Sequence, residues 1–298
     1  MRVLVTGGAG FVGSNIVDAL EARGDLVVAL DDLSTGDRKN LAPDIAFRHA
    51  SVAEEKKLFE AVHGEGFDVI VHCASKTKVV ESMEKEALYR RVIVDGTKNV
   101  LALAEKVRVQ WLVNLSTGGA MYGETPACAS ETVAAEPDSN YGKFKLEAER
   151  LVAESGIPSI TLRLANVYGP RQRTDLEGGV IAIFIKKWRE KQPLTVFGDG
   201  SGERDYVYVG DVADAVTSSF SGEWTGLYNI GTGVATSVNT LIAELARLLG
   251  PPPRIEHAPE RPVELQRSCL DAHKAARDGL WTPKTDLRKG LRQTVELG

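Results

Sequence analysis

Tyr141 and Lys145 stand four residues apart in Tyr141-Gly142-Lys143-Phe144-Lys145, a segment whose pattern predicts a helix. Positions i and i+4 share a helical face, so the phenol and the ammonium project toward one site. A phenol ionises near pH 10 in water and a nearby cation favours the phenolate, which makes the tyrosine a candidate base at neutral pH. Bringing it to neutrality takes about 4 kcal/mol of differential stabilisation, at about 1.36 kcal/mol per pKa unit. The same spacing also occurs on ordinary solvated helices. What gives the pair weight lies at the beginning of the chain.

Arg2 to Thr6 is a short apolar run, followed directly by Gly7-Gly8-Ala9-Gly10-Phe11-Val12-Gly13. Val12, Ile16, Ala19 and Leu20 then recur at helical spacing, Gly24 marks a helix stop, and Leu26 to Leu30 form a second strand ending in Asp31. The glycines at 7, 10 and 13 suit a tight turn, close approach to a pyrophosphate and close helix-to-strand packing. Strand, glycine turn, helix, strand and terminal acid within about thirty residues make a dinucleotide site. A carboxylate at Asp31 accepts from the ribose hydroxyls and repels a 2′-phosphate, so NAD is expected over NADP. Arg38 and Lys39 lie downstream and would blunt that preference.

The elements that must position these groups alternate. Strands are predicted over 45–49, 68–74, 110–115 and 158–164, and helices over 54–62 and 84–106. That order implies an α/β fold with a doubly wound parallel sheet. Polar residues at carboxyl ends of its strands, such as Ser116-Thr117-Gly118-Gly119, sit where ligands bind. His72, on an apolar strand, reads as a satisfied core histidine. Later, an apolar helix is expected over 178–187, a strand over 194–197, a flexible loop over 198–202, and helices over 237–249 and 286–296.

With 298 residues, the chain is long enough for one large domain or two unequal ones. It is 43% hydrophobic but has no apolar run able to cross a bilayer, so no membrane insertion is expected. The first residues lack the pattern of a secretory leader, which points to the cytoplasm. A net charge of −5 without a dense basic block argues against a nucleic-acid surface. Cys73, Cys128 and Cys269 are odd in number, far apart and without metal-ligand spacing. They are read as thiols, with neither a disulfide framework nor a metal site.

Taken together, Gly7 to Gly13, Asp31-Asp32-Leu33-Ser34-Thr35-Gly36, His72-Cys73-Ala74-Ser75, Ser116-Thr117 before Tyr122-Gly123, and Tyr141 to Lys145 resemble the extended short-chain dehydrogenase/reductase family. Within its NAD-dependent epimerase/dehydratase group, the pattern is most similar to the UDP-glucose 4-epimerases. The resemblance implies a Rossmann domain over 1–165, to which 205–220 returns, and a smaller C-terminal nucleotide-sugar-binding domain over 166–298. It implies that Tyr141 is the base, that Lys145 binds the nicotinamide ribose and lowers the tyrosine pKa, and that Thr117 or Ser116 supplies a hydroxyl to the sugar O4. The family's usual hydroxyl position falls on Gly118.

By the same resemblance NAD contacts Gly7, Gly10, Phe11, Val12, Gly13, Asp31, Ser34, Ser51, Val52, Cys73, Ala74 and Ser75, besides Tyr141 and Lys145. Ser51 stands where an aspartate commonly meets adenine, and Ile93 where an asparagine is usual. The substrate is implied at Asn166, at Phe197 against uracil, at Arg204 and Arg261 on the diphosphate, and at Glu264 on the ribose. Arginine suits a diphosphate because its planar fork makes charge-assisted, bidentate bonds. Ser268 takes a pocket-gating position, and its small size leaves room for a 2-acetamido group.

The implied reaction is C4 epimerisation of a UDP-hexose, UDP-glucose/UDP-galactose and their N-acetyl forms, through a 4-keto sugar. The implied assembly is a homodimer built on helices near 84–106 and 140–155. A 4,6-dehydratase would need an acid and a base where Gly118-Gly119 stands. A UDP-uronate epimerase or decarboxylase would need a cation for the sugar carboxylate, which Lys76 or Lys78 offers. The non-enzymatic alternative is an NAD-sensing protein on the same fold.

Overall fold

The structure, a computed structural model, describes residues 1–175, 179–260 and 265–297. Six strands come from the first half: Arg2–Thr6 (β1), Leu26–Asp31 (β2), Ala46–His49 (β3), Val69–His72 (β4), Trp111–Thr117 (β5) and Ser159–Leu164 (β6). Between them run Phe11–Ala22 (α1), Glu55–Ala61 (α2), Val79–Glu84 (α3), Glu86–Arg90 (α4), Gly96–Val107 (α5) and Asn140–Glu154 (α6). The second half supplies the short strands Asn166–Tyr168 (β7), Leu194–Phe197 (β8), Glu203–Tyr208 (β9), Gly226–Ile230 (β10), Ala235–Ser237 (β11), Ile255–Ala258 (β12) and Arg267–Ser268 (β13). Its helices are Val180–Arg189 (α7), Val209–Ser218 (α8), Val238–Leu249 (α9), His273–Arg277 (α10) and Leu287–Leu297 (α11).

The main sheet is parallel and seven-stranded, in the order β10-β6-β5-β4-β1-β2-β3. Its inner strands are buried on both faces, as a sheet covered by helices on each side requires. Alternate residues divide between two cores. Val3, Val5, Val69, Val71 and Val113 face Ile16, Val17 and Leu20 of α1 and Val212 and Val216 of α8. Leu4, Ile70 and Leu112 face Leu58 of α2 and Val100 and Leu103 of α5. Strand order reverses at β1 and β4, so the carboxyl ends of these strands flank the crevice where such sheets bind ligands.

Beyond this crevice, β7, β9, β11 and β13 form a small sheet, and β8 pairs with β12. Its register sets Asn166 beside Tyr206 and Ser268 beside Arg204. A separate core of Ile181, Phe184, Leu241, Leu245 and Leu291 backs these strands. Among the described residues no helix is long and apolar enough to cross a membrane.

Two expectations are corrected. The helix predicted over 84–106 begins earlier and breaks at Lys85, where the backbone turns out of the helical region (φ −119°, ψ 47°). A π-helical turn, Arg91–Asp95, then joins α4 to α5. Hydrophobic periodicity does not see such a turn, because the apolar side stays on the core. The cysteines are the second correction: Cys128 and Cys269 form a disulfide across 141 residues, with Cα atoms 4.5 Å apart, and Cys73 is free. Chain spacing carries no trace of this pairing. It arises because Ala129 bridges Leu270 in parallel, with Ala129 N–H donating to Cys269 O at 2.9 Å and Asp271 N–H to Ala129 O at 2.8 Å.

Candidate active site

The first cavity lies over the carboxyl ends of β1, β2, β4 and β5. It is lined by Gly7, Gly10, Phe11, Val12, Gly13, Asp31, Ser34, Ser51, Val52, Cys73, Ala74, Ser75, Ser116, Tyr141 and Lys145. Thus every residue that the sequence assigns to the cofactor meets around one space. Gly7 takes φ +68°, and a Cβ on Gly13 would lie 2.1 Å from the Gly7 carbonyl oxygen, so this turn admits no side chain at either position. Gly10 caps α1 without a side-chain hydrogen bond, leaving the helix N-terminus suited to an anion.

Asp31 accepts from Ala9 N–H at 3.0 Å and Leu33 N–H at 2.8 Å, which ties the glycine turn to the loop after β2. Burial pushes its carboxyl up, against these bonds. Ser51 donates to Asp32 at 3.0 Å. An aspartate at 51 would instead set two carboxylates face to face, so the serine is matched to its neighbour. Arg38 spends its guanidinium on the carbonyls of Leu41, Ala42, Pro43 and Ile45, at 3.0 to 3.3 Å. It folds the loop and is thereby drawn away from any role with a 2′-phosphate.

Ser139 caps α6, accepting from Gly142 N–H at 3.1 Å, and directs Tyr141, Lys145 and Glu149 along one face. Lys145 Nζ donates to the Leu115 carbonyl at 2.6 Å. Burial lowers its pKa to about 8, against the charges of Glu149 and Cys73. The Tyr141 phenol is pushed up to about 12 by burial, against a hydrogen bond with Thr117. The lowering expected from Lys145 is not seen: burial sets the direction, and the group that opposes it is Thr117, while the lysine ammonium is turned to Leu115 O. The hydroxyl partner of the phenol is Thr117, whose Oγ1 also accepts from Ala120 N–H at 3.3 Å. Ser116 Oγ is buried in the first cavity with no hydrogen-bond partner among the described residues.

His72 is a satisfied core histidine. Thr97 donates its hydroxyl to Ile93 O at 2.6 Å, so at 3.1 Å it accepts from His72 Nε2–H, and Nδ1 accepts from the Thr6 hydroxyl at 2.8 Å. Desolvation lowers its pKa to about 3.

A second cavity of about 620 Å³ is lined by Asn166, Phe197 and Arg204, with Lys78 and Asp175. The chain at and just after the end of β5 touches residues of both. Ser116 lines the first cavity, while a Cβ on Gly119 would lie 3.1 Å from Asn166 Oδ1 and 3.7 Å from Ser268 Oγ. Arg261 and Glu264 lie outside the described residues.

Several participants escape sequence reasoning. Leu270 fills the space over Gly118. Arg163 pairs with Glu149 at 2.6 Å in the interior behind Lys145. Arg173, which donates to Thr35 O at 3.0 Å, lines the first cavity. Only Arg173 had a visible signal, as a second arginine after Gly169-Pro170; the others depend on contacts between distant segments.

Residues 3–231 match the model of the NAD dependent epimerase/dehydratase family. The UDP-glucose 4-epimerase of Mycolicibacterium smegmatis is 37% identical, over 99% of this chain and 98% of its own. Among solved structures, the UDP-glucose 4-epimerase of Thermus thermophilus in complex with NAD superposes with a TM-score of 0.94 at 38% identity, over 99% of this chain and 98% of its own. The Thermotoga maritima enzyme with UDP-glucose gives a TM-score of 0.94 at 36% identity, over 100% and 98%. With the sheet order, the glycine turn and the Tyr141–Lys145 face all in agreement, the chain belongs to the NAD dependent epimerase/dehydratase family.

Proposed function

We propose that the protein inverts C4 of a UDP-hexose, interconverting UDP-glucose and UDP-galactose and accepting their N-acetyl forms. The observation that carries this reading is that Tyr141, on the wall of the first cavity, is paired with Thr117 at the end of β5, two residues before Gly119, which abuts Asn166 of the second cavity. The first cavity fits NAD: its turn excludes side chains, Asp31 stands at the ribose position, and Ser116 offers a buried unmade hydrogen bond. Bound there, NAD supplies an acceptor for hydride that it later returns.

In this reading Tyr141 Oη takes the sugar O4 proton and gives it back to the opposite epimer. Thr117 orients the phenol and the O4 hydroxyl, while Lys145 supplies a cation near the phenol. Buried at about 12, the phenol needs further positive charge to ionise at neutral pH, so it becomes a base in the loaded enzyme. Arg204, with Arg261, grips the diphosphate and Phe197 packs on uracil. Anchored at that end, the 4-keto sugar is free to turn over while it stays bound. Gly118 and Gly119 supply no acid or base for loss of water, which argues against a dehydratase.

The uronate reading needs a cation in the second cavity. Lys76 is engaged elsewhere, donating to Ser34 at 3.1 Å, and Lys78 lines that cavity together with the opposing charge of Asp175. The C4 reading is therefore preferred. We further propose a cytoplasmic homodimer whose interface includes Met83 and Leu88, which are 55% and 39% exposed. Light scattering after size exclusion tests the dimer. Function is tested by incubating the protein with a panel of UDP-hexoses and UDP-uronates, separating the products and releasing bound NAD by denaturation. C4 inversion of the hexoses is expected; NAD-loaded protein that inverts none of them would overturn the reading.

A further inference from the structure

The Cys128–Cys269 bond sits in the segment that walls the residues just after Thr117. Ser268 abuts Gly119 and Leu270 abuts Gly118, while Cys269, between them, is bonded to Cys128. In an extended segment successive side chains alternate sides, so the bond fixes this short stretch from the side away from the glycines. Cys269 is 2% exposed, whereas Cys128 is half-buried beside the exposed Pro126 and Ala127. A reagent from solvent therefore meets the bond at Cys128 Sγ. Arg267 Nη2 donates to that sulfur at 3.8 Å, and Arg267 Nη1 to Pro126 O at 3.0 Å, which holds a cation where a thiolate forms or attacks. Other bonds keep the segment in place: Ala129 bridges Leu270, and Leu270 N–H donates to Asp205 Oδ2 at 3.3 Å. Opening the disulfide thus loosens the wall without dismantling it.

We infer that Cys128 and Cys269 form an exchange site for a small thiol, and that its state sets how strictly the Ser268–Leu270 wall discriminates among sugars. The effect on sugars rests on the nucleotide-sugar reading above. Reduction runs in two displacements. A thiolate RS⁻ attacks Cys128 Sγ, the bond to Cys269 breaks, and Cys269 leaves with the electron pair and takes up a proton. A second RS⁻ attacks the outer sulfur of the mixed disulfide, forming RS–SR and releasing Cys128 as a thiolate beside Arg267. The protein disulfide gains two electrons and two thiols are oxidised to one disulfide; oxidation is the same sequence reversed. A disulfide with one sulfur open to solvent exchanges with the thiols of a reducing compartment. Oxidised, the wall is pinned; reduced, it yields when a 2-acetamido group presses on Ser268.

The test equilibrates the NAD-loaded protein with mixtures of reduced and oxidised glutathione, then denatures it, alkylates the free thiols and counts them by mass. The count should move reversibly between one, Cys73, and three. A pair that stays bonded in excess reduced glutathione is a structural staple, and the inference fails. Calorimetric titration of both forms with UDP-glucose and UDP-N-acetylglucosamine then reads the wall. Reduction should tighten the acetamido sugar about threefold or more relative to UDP-glucose, with bound NAD unchanged. Cys128→Ser should show the reduced-form ratio in every glutathione mixture, which separates the pair from Cys73. Equal ratios in the two states, or a redox response that persists in Cys128→Ser, would sink the proposal. Because no arm uses turnover, a protein that exchanges and binds selectively but converts no sugar sinks the epimerase reading and leaves this one standing. A protein that binds neither sugar in either state sinks both.

Discussion

Leu270 occupies the space that a side chain at Gly118 would need: a Cβ there would lie 2.4 Å from Leu270 Cδ1. A side chain at this position is thus excluded by packing, and the hydroxyl partner of the Tyr141 phenol is Thr117. Thr117→Val is expected to lower kcat by about a hundredfold or more at unchanged NAD content. Ser116→Ala should change it by less than about tenfold. Gly118→Ser should destabilise the fold by about 1–3 kcal/mol through overpacking, and adding Leu270→Ala should recover part of the loss. Steady-state turnover and denaturant titrations check all four. Equal losses of kcat in Thr117→Val and Ser116→Ala would contradict the assignment.

Lys145 gives a signature at alkaline pH. Its folded pKa, lowered to about 8, lies below its ordinary value, so the folded protein holds fewer protons than the unfolded chain above pH 8. Stability of protein stripped of NAD should therefore rise between pH 8 and 10.5, by on the order of 3 kcal/mol from this group. Urea titrations of wild type and Lys145→Met across that window should differ in slope by this amount. Parallel slopes would contradict it.

His72 does the opposite work on the acid side. Held neutral with a pKa near 3, it favours the native state above pH 6.5, and this stabilisation is lost as pH falls toward 3. Several kcal/mol are at stake, at about 1.36 kcal/mol per pKa unit. Replacing it by Gln should lower stability at pH 7 yet flatten its decline between pH 6.5 and 3, measured by urea unfolding at each pH.

The bond between Cys128 and Cys269 ties the loop after β5 to the strand that carries Ser268. Thiol titration of the denatured protein should find one reactive group without reductant, Cys73, and three with it. Cys128→Ala with Cys269→Ala should destabilise by about 2–4 kcal/mol. Three thiols without reductant would show that the pair is not bonded in solution.

Ser268 is buried beside Gly119, so one position carries a small side chain and the other none. Ser268→Tyr should lower kcat/KM for UDP-N-acetylglucosamine by about a hundredfold or more while leaving UDP-glucose within about threefold. Parallel loss on both sugars would mean that position 268 does not gate the acetamido group.

Much of this protein was legible along the chain, because the signals are local. Strand and helix periods, the turn at Gly7 to Gly13, the acid at Asp31 and the i, i+4 face of Tyr141 and Lys145 depend on backbone geometry over a few residues. These determined the parallel α/β fold and the residues around the first cavity. Ser51 and Arg38 could be noticed in the sequence, but not understood: one is matched to Asp32 and the other spent on four carbonyls, and both facts belong to a folded loop. Tertiary structure alone decided the rest. Leu270 reaches Gly118, Cys269 reaches Cys128 and Arg163 reaches Glu149 only once sheet order and register bring distant segments together. Burial, too, belongs to the whole fold, and it reversed the direction expected for the Tyr141 phenol, because desolvation sums over every neighbour while a helical spacing counts only one.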